Sequence, residues 1–181
     1  MIKEGLKVLP VDERDLKFSL FHKPVNLREI AGQEFEVVHI EPIQDQNNYP
    51  DGETNECTSF SSAYAGQAHE GEPIAPQYTF KNICKVLGEI TFEGADLRTM
   101  AKAVQMGLIP IKDLPDWVKK AEKAVRYDWN NWNKSIDDKA YPHRQLTYFW
   151  ITKDGYPTFF DAMRAALWKY KDKKHIIVGG I

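Results

Sequence analysis

Residues 45–67 read DQNNYPDGETNECTSFSSAYAGQ, and the character of the chain changes at Cys57. From Gln44 to Glu56 the sequence is polar, with Tyr49-Pro50-Asp51-Gly52 as a turn, since proline presets φ and aspartate and glycine accept turn geometries. From Cys57 onward Phe60, Ala63, Tyr64 and Gln67 recur at helical spacing, and Ala63, Ala65 and Ala68 are small enough for close packing. Thr54 or Asn55 stands where an N-cap is expected. A thiol at the head of a helix feels the positive end of the aligned peptide dipoles. That favours the thiolate and lowers the pKa from about 8.5. Cys84 is different: it falls mid-helix on an apolar stripe and reads as a small buried hydrophobe.

Working outward, Pro76 opens a second helix, Gln77 to about Leu87, with Phe80, Ile83, Cys84 and Leu87 on one face. A third helix, about Asp96 to Met106, carries Leu97, Met100, Ala101 and Val104 and stops at Gly107. Residues 114–153 are less regular and hold Trp117, Trp129, Trp132 and Trp150 together with Tyr127, Tyr141, Tyr148 and Phe149. Strands are expected at Phe35–Ile40, Leu146–Thr152 and Ile176–Val178. A last helix, about Thr158 to Tyr170, turns Phe159, Ala162, Met163, Ala166 and Leu167 inward. Residues 1–30 are polar and turn-rich, and Pro10 and Pro24 oppose any helix there, so they read as an extended leader.

Composition narrows the function classes. The chain has 181 residues, 43% hydrophobic and 28% charged, enough for one domain or two small lobes. Lys and Arg number 24 against 26 Asp and Glu, so no basic excess draws the chain to nucleic acid or to a membrane surface. Mean hydropathy is −0.51, and no apolar run approaches the roughly 18 residues a spanning helix needs. Charges fill the N-terminus where a signal peptide would be apolar, so the chain reads as soluble and unsecreted. Two cysteines and five histidines lack the close spacing of a structural zinc site, and nothing implies a metal or cofactor.

Six pieces in one order resemble the papain-like cysteine peptidases, in particular bacterial and viral members. Asp45-Gln46 followed by Cys57-Thr58-Ser59-Phe60-Ser61-Ser62-Ala63 is similar to the family's oxyanion glutamine and its nucleophile at the head of the central helix. Upstream, Leu9-Pro10-Val11-Asp12-Glu13-Arg14-Asp15 resembles a short leader, and Pro24-Val25-Asn26-Leu27-Arg28-Glu29 resembles the mature start. Downstream, Ile74-Ala75-Pro76-Gln77-Tyr78 and Gly94-Ala95-Asp96-Leu97-Arg98 resemble the openings of the second and third helices. The helix at 158–170 with Ile176-Ile177-Val178-Gly179 resembles the helix and first barrel strand of the second lobe. The resemblance departs from the family at Thr58, where a large residue is usual. It departs again in the loop, where Cys57 follows Gln46 by 11 positions with no glycine beside it.

The resemblance implies an α+β, papain-like fold: a leader or strap at 1–22, then a peptidase domain at 23–181. That domain would hold a helical lobe at about 45–125 and the beginning of a β-barrel lobe at about 140–181. It implies thiol-dependent peptide-bond hydrolysis, with Cys57 as nucleophile and Gln46 as oxyanion donor. Glu93 and Gly94 would form the edge that pairs with substrate backbone. The substrate would be a peptide or protein. The family's histidine and asparagine follow the nucleophile by about 130–150 residues, whereas 124 residues follow Cys57 here. His175 is the late candidate, but no Asn or Asp follows to orient it; His22, His39, His69 and His143 match no motif position. The expectation is therefore an N-terminal fragment without its base, inactive alone, whose partner is its own C-terminal fragment or another chain. A non-catalytic papain-like scaffold using residues 126–153 for contacts is the alternative, with a transglutaminase-type or amidase relative a third. The missing partner cysteine points to a reducing, cytoplasmic compartment, or to a virion if the source is viral.

Overall fold

A computed structural model describes residue 12 and residues 17–32, 55–91, 93–145 and 148–171. These divide into two units, one made of residues 55–145 and the other of residues 12–32 and 148–171. The second unit begins with two single-turn helices, α1 (Phe18–Phe21) and α2 (Leu27–Ile30). The first unit carries α3 (Cys57–Glu70), α4 (Pro76–Leu87), α5 (Leu97–Val104), α6 (Asp116–Lys120), α7 (Lys123–Arg126) and α8 (Lys134–Ala140). The chain then returns to the second unit for α9 (Phe159–Lys169).

In the first unit, α3, α4 and α5 pack on one another. Gly66 lets α3 approach the bridged segments beside it: a Cβ there would lie 2.8 Å from Leu108 Cδ1 and 3.2 Å from Ile74 Cγ1. Pro76 occupies the first turn of α4, where its missing N–H costs nothing. Gly71 and Gly88 end α3 and α4 in the left-handed conformation that a side chain resists. Asp96 caps α5 by accepting from the Thr99 backbone N–H at 2.8 Å and from the Thr99 hydroxyl at 2.7 Å. Ile74 and Pro110 form an antiparallel bridge, with Ala75 N donating to Ile109 O at 2.8 Å and Ile111 N to Pro73 O at 2.9 Å.

Three apolar clusters follow. Phe60, Ala63, Ile74 and Leu108 lie under α3. Phe80, Ile83, Cys84, Ala95, Met100, Ala103 and Tyr127 lie between α4, α5 and the end of α7. Tyr78, Ile109, Leu114, Val118, Trp132, Ile136 and Ala140 tie α4 to α6 and α8. The aromatic-rich segment thus supplies core, since Tyr127 and Trp132 are buried, rather than a free contact surface at those positions.

In the second unit Lys17 and Trp150 make a parallel bridge, and Phe18 N donates to Trp150 O at 2.8 Å. Tyr156, Ala162 and Ala165 form its core, with Val25, Leu27 and Ile151 packed against them. Thr158 caps α9 through the Asp161 N–H at 3.1 Å, and Arg164 donates to Ile30 O at 3.3 Å.

Several expectations need correction. The segment around Pro24 is not wholly extended: Asn26 caps α2, accepting from Arg28 N at 3.1 Å, so the proline breaks the chain into two helical turns. Leu87 and Phe159 are exposed. Leu87 is the last residue of α4 and Phe159 the first of α9, whose buried stripe is Ala162, Ala165 and Ala166. Among the described residues there are isolated bridges but no strand; of Leu146–Thr152, residues 148–152 contribute only the bridge at Trp150. The strands expected at Phe35–Ile40 and Ile176–Val178, and most of the leader, lie outside the described residues. No described helix is long and apolar enough to cross a membrane.

Candidate active site

Cys57 is the first residue of α3, and its thiol is half-buried and reduced. The turn before it is unusual. Asn55 has φ +54, the one positive φ at a non-glycine among the described residues, and Glu56 occupies the N-cap position. Asn55 is therefore not the cap, and Thr54 lies outside the described residues. Glu56 does not cap with its side chain either, and its carbonyl gathers the first turn, accepting from Ser59 N at 2.9 Å, Phe60 N at 3.1 Å and Ser59 Oγ at 2.8 Å.

The electrostatics at Cys57 reverse one expectation. Burial pushes its thiol up, and the backbone N–H groups of Thr58 and Cys57, which pull the other way, do not fully offset it. The helix end is there, but desolvation of the sulfur outweighs it. Cys84 is wholly buried, and burial pushes its thiol up to about 11, as befits a core residue.

Glu93 and Gly94 lie in the loop leading into α5. Glu93 is exposed, and Gly94 is buried with φ +81. Glu93 N donates to Thr91 Oγ1 at 3.2 Å, and the Thr91 hydroxyl donates to Gly94 O at 3.4 Å, closing a tight turn. Cys57, Glu93 and Gly94 belong to one unit. Gln46 and the late histidine His175 lie outside the described residues, as does His39. The two described histidines of the Cys57 unit, His69 and His143, both bind Glu70, through Nδ1 at 2.7 and 2.8 Å. Glu70 is the last residue of α3, so about 1.5 Å per residue puts this cluster ~20 Å along the helix from Cys57. His22 belongs to the second unit, where Nε2 meets the Tyr170 hydroxyl at 2.6 Å. No group of acidic, histidine or cysteine side chains among the described residues is arranged to hold a metal ion.

Sequence reading missed what lies behind the candidate nucleophile. Glu56 is fully buried, and the Tyr127 hydroxyl, also fully buried, donates to its Oε2 at 2.5 Å. Tyr127 packs against Phe80 in a tilted contact with ring centroids 4.7 Å apart. Lys123 is buried in the same neighbourhood, since Glu56 and Lys123 both act electrostatically on the Cys84 thiol. Glu56 read as one more residue of a polar turn. Its partner is 71 positions away, and no local pattern carries that information.

The fold is similar to that of xylellain, a cysteine protease from Xylella fastidiosa, with a TM-score of 0.60 at 20% sequence identity. The match covers 91% of this chain and 63% of xylellain, so the chain spans less than two thirds of that protein's length. No family model and no curated protein sequence matches. The fold is that of a papain-like cysteine protease.

Proposed function

We propose that the protein is a cysteine peptidase with Cys57 as its nucleophile. One observation carries the reading: a half-buried thiol occupies the first position of α3 in a chain whose fold is similar to that of a cysteine protease. In this mechanism Cys57 Sγ attacks a peptide carbonyl, the new C–S bond forms, and the C–N bond breaks as the proton given up by the thiol passes to the leaving amine. Water then hydrolyses the thioester and regenerates the thiol. Gln46 and the Cys57 backbone N–H hold the oxyanion, each donor contributing about 3 kcal/mol to the barrier reduction. The loop at Glu93 and Gly94 lines the substrate backbone, and the substrate is a peptide or protein.

A second reading, a catalytically silent papain-like scaffold, is favoured by the direction in which burial moves the Cys57 thiol. One assay separates the two: thiol-dependent cleavage of a fluorogenic peptide library by the intact gene product, beside Cys57→Ala. The peptidase reading expects turnover that a peptidyl epoxide blocks and that Cys57→Ala lowers by at least about 10³-fold. Turnover that survives Cys57→Ala sinks it, and no turnover together with slow, pH-dependent alkylation of Cys57 supports the scaffold.

A further inference from the structure

We propose that the buried hydrogen bond between Tyr127 and Glu56 aims Cys57, making both of them positioning residues for the thiol; this rests on the reading of Cys57 as the nucleophile. Three features of one turn lead there. Asn55 sits in the left-handed region, which asparagine adopts more readily than other non-glycine residues, and this turns the chain sharply just before the helix. Glu56 follows, and its carbonyl collects the three donors of the first helical turn, so its backbone sets the direction in which α3 departs. Its side chain points away from solvent and ends on the Tyr127 hydroxyl.

Tyr127 cannot drift. Its ring is fully buried against Phe80, and its backbone N–H donates to Lys123 O at 3.0 Å. A carboxylate is a costly group to bury, and a plain cap at this position needs only a short Ser, Thr, Asp or Asn side chain in contact with the helix end. Here a longer side chain is spent on a tether to a second element. The tether fixes the turn whose next residue is Cys57. Losing it frees the entry turn, and the thiol reverts toward an ordinary cysteine that is no longer aimed.

Iodoacetamide labelling read by mass spectrometry follows both thiols in one sample. Cys84 is sealed in the core, so its labelling measures unfolding, whereas that of Cys57 measures its local setting. Tyr127→Phe deletes only the hydroxyl, Glu56→Asp keeps the charge but shortens the reach by one methylene, and Glu56→Gln keeps an acceptor oxygen at the original reach. In Tyr127→Phe and Glu56→Asp, the pH midpoint of Cys57 labelling should move by about half a unit or more toward the 8.5 of a free thiol. Peptide kcat should fall about tenfold with KM within about twofold, while Cys84 stays protected. Glu56→Gln should remain within about twofold of wild type on each measure. An unchanged midpoint and kcat would overturn the proposal. So would Cys57 labelling that rises only in step with Cys84 in both variants, which makes the pair a core bond and nothing more. A wild-type protein without turnover defeats the peptidase reading, and the labelling midpoint alone then decides the positioning role.

Discussion

Lys81 is the residue whose setting is hardest to read from its neighbours in sequence. It lies mid-way along α4, is only 1% exposed, and places its ammonium 2.9 Å from Asp137 and 3.9 Å from the centre of the Tyr78 ring. Burial pushes the Lys81 ammonium down, and Asp137 only partly restores it. Burial alone would push Asp137 up, but the bonds from Tyr78, at 2.7 Å, and from Lys81 hold it below the usual carboxylate range. The carboxylate gains from the pair while the ammonium loses by being buried, so the bridge adds little net stability. The two halves therefore respond differently to mutation. Asp137→Ala leaves a buried cation uncompensated and should cost about 3 kcal/mol in urea unfolding, whereas Lys81→Met should stay within about 1 kcal/mol of wild type. Equal losses in the two variants would show the ion pair itself to be the stabilising element.

At the scale of elements, two glycines mark close approaches between neighbouring segments. Gly107 ends the α5 region with φ +118, and a Cβ there would sit 2.3 Å from the Ala140 carbonyl oxygen. Backbone cannot yield cheaply, so Gly107→Ala should lose about 2–4 kcal/mol through strain and displacement of α8. Gly66 meets the end of a leucine side chain instead, which can rotate away. Gly66→Ala should cost only about 1 kcal/mol, the repacking being partly offset by better helix propensity. Thermal unfolding of both variants checks the order, and a Gly66→Ala loss larger than that of Gly107→Ala would contradict it.

At the scale of the whole molecule, the Glu70 cluster joins the C-terminal end of α3 to a segment 73 residues later. Burial alone would raise the Glu70 carboxyl, but hydrogen bonds from His143 and then His69 outweigh it and hold the pKa below its ordinary value. A carboxyl depressed in the folded state contributes stability that is fully present above its unfolded pKa, about 4.3, and that is lost as pH falls through the lower folded value. Glu70→Gln should therefore melt below wild type at pH 6, and the gap should narrow as pH drops from about 4.5 toward 3. A gap that stays constant to pH 3 would show that the carboxylate charge contributes nothing.

The sequence by itself determined α3, α4, α5 and α9 and the position of Cys57, because those signals are local, whereas the short helices α1, α2, α6, α7 and α8 escaped it. Pro76 and Gly88 bound α4, Asp96 starts α5, Gly107 stops it, and a periodic apolar face marks the start of α3 at the cysteine. Each is a consequence of dihedral preference or 3.6-residue periodicity within about a dozen positions. Only the tertiary structure decided how Cys57 is set. Its thiol is raised because burial, a property of everything packed around it, exceeds the local pull of two backbone N–H groups. Glu56 is a buried tether rather than part of a solvated turn because Tyr127 reaches it across 71 residues, and His69 and His143 are paired at the far end of α3 because Glu70 lies between them. Desolvation and long-range hydrogen bonds depend on which surfaces meet, and residues distant in sequence carry no periodic signal of that meeting.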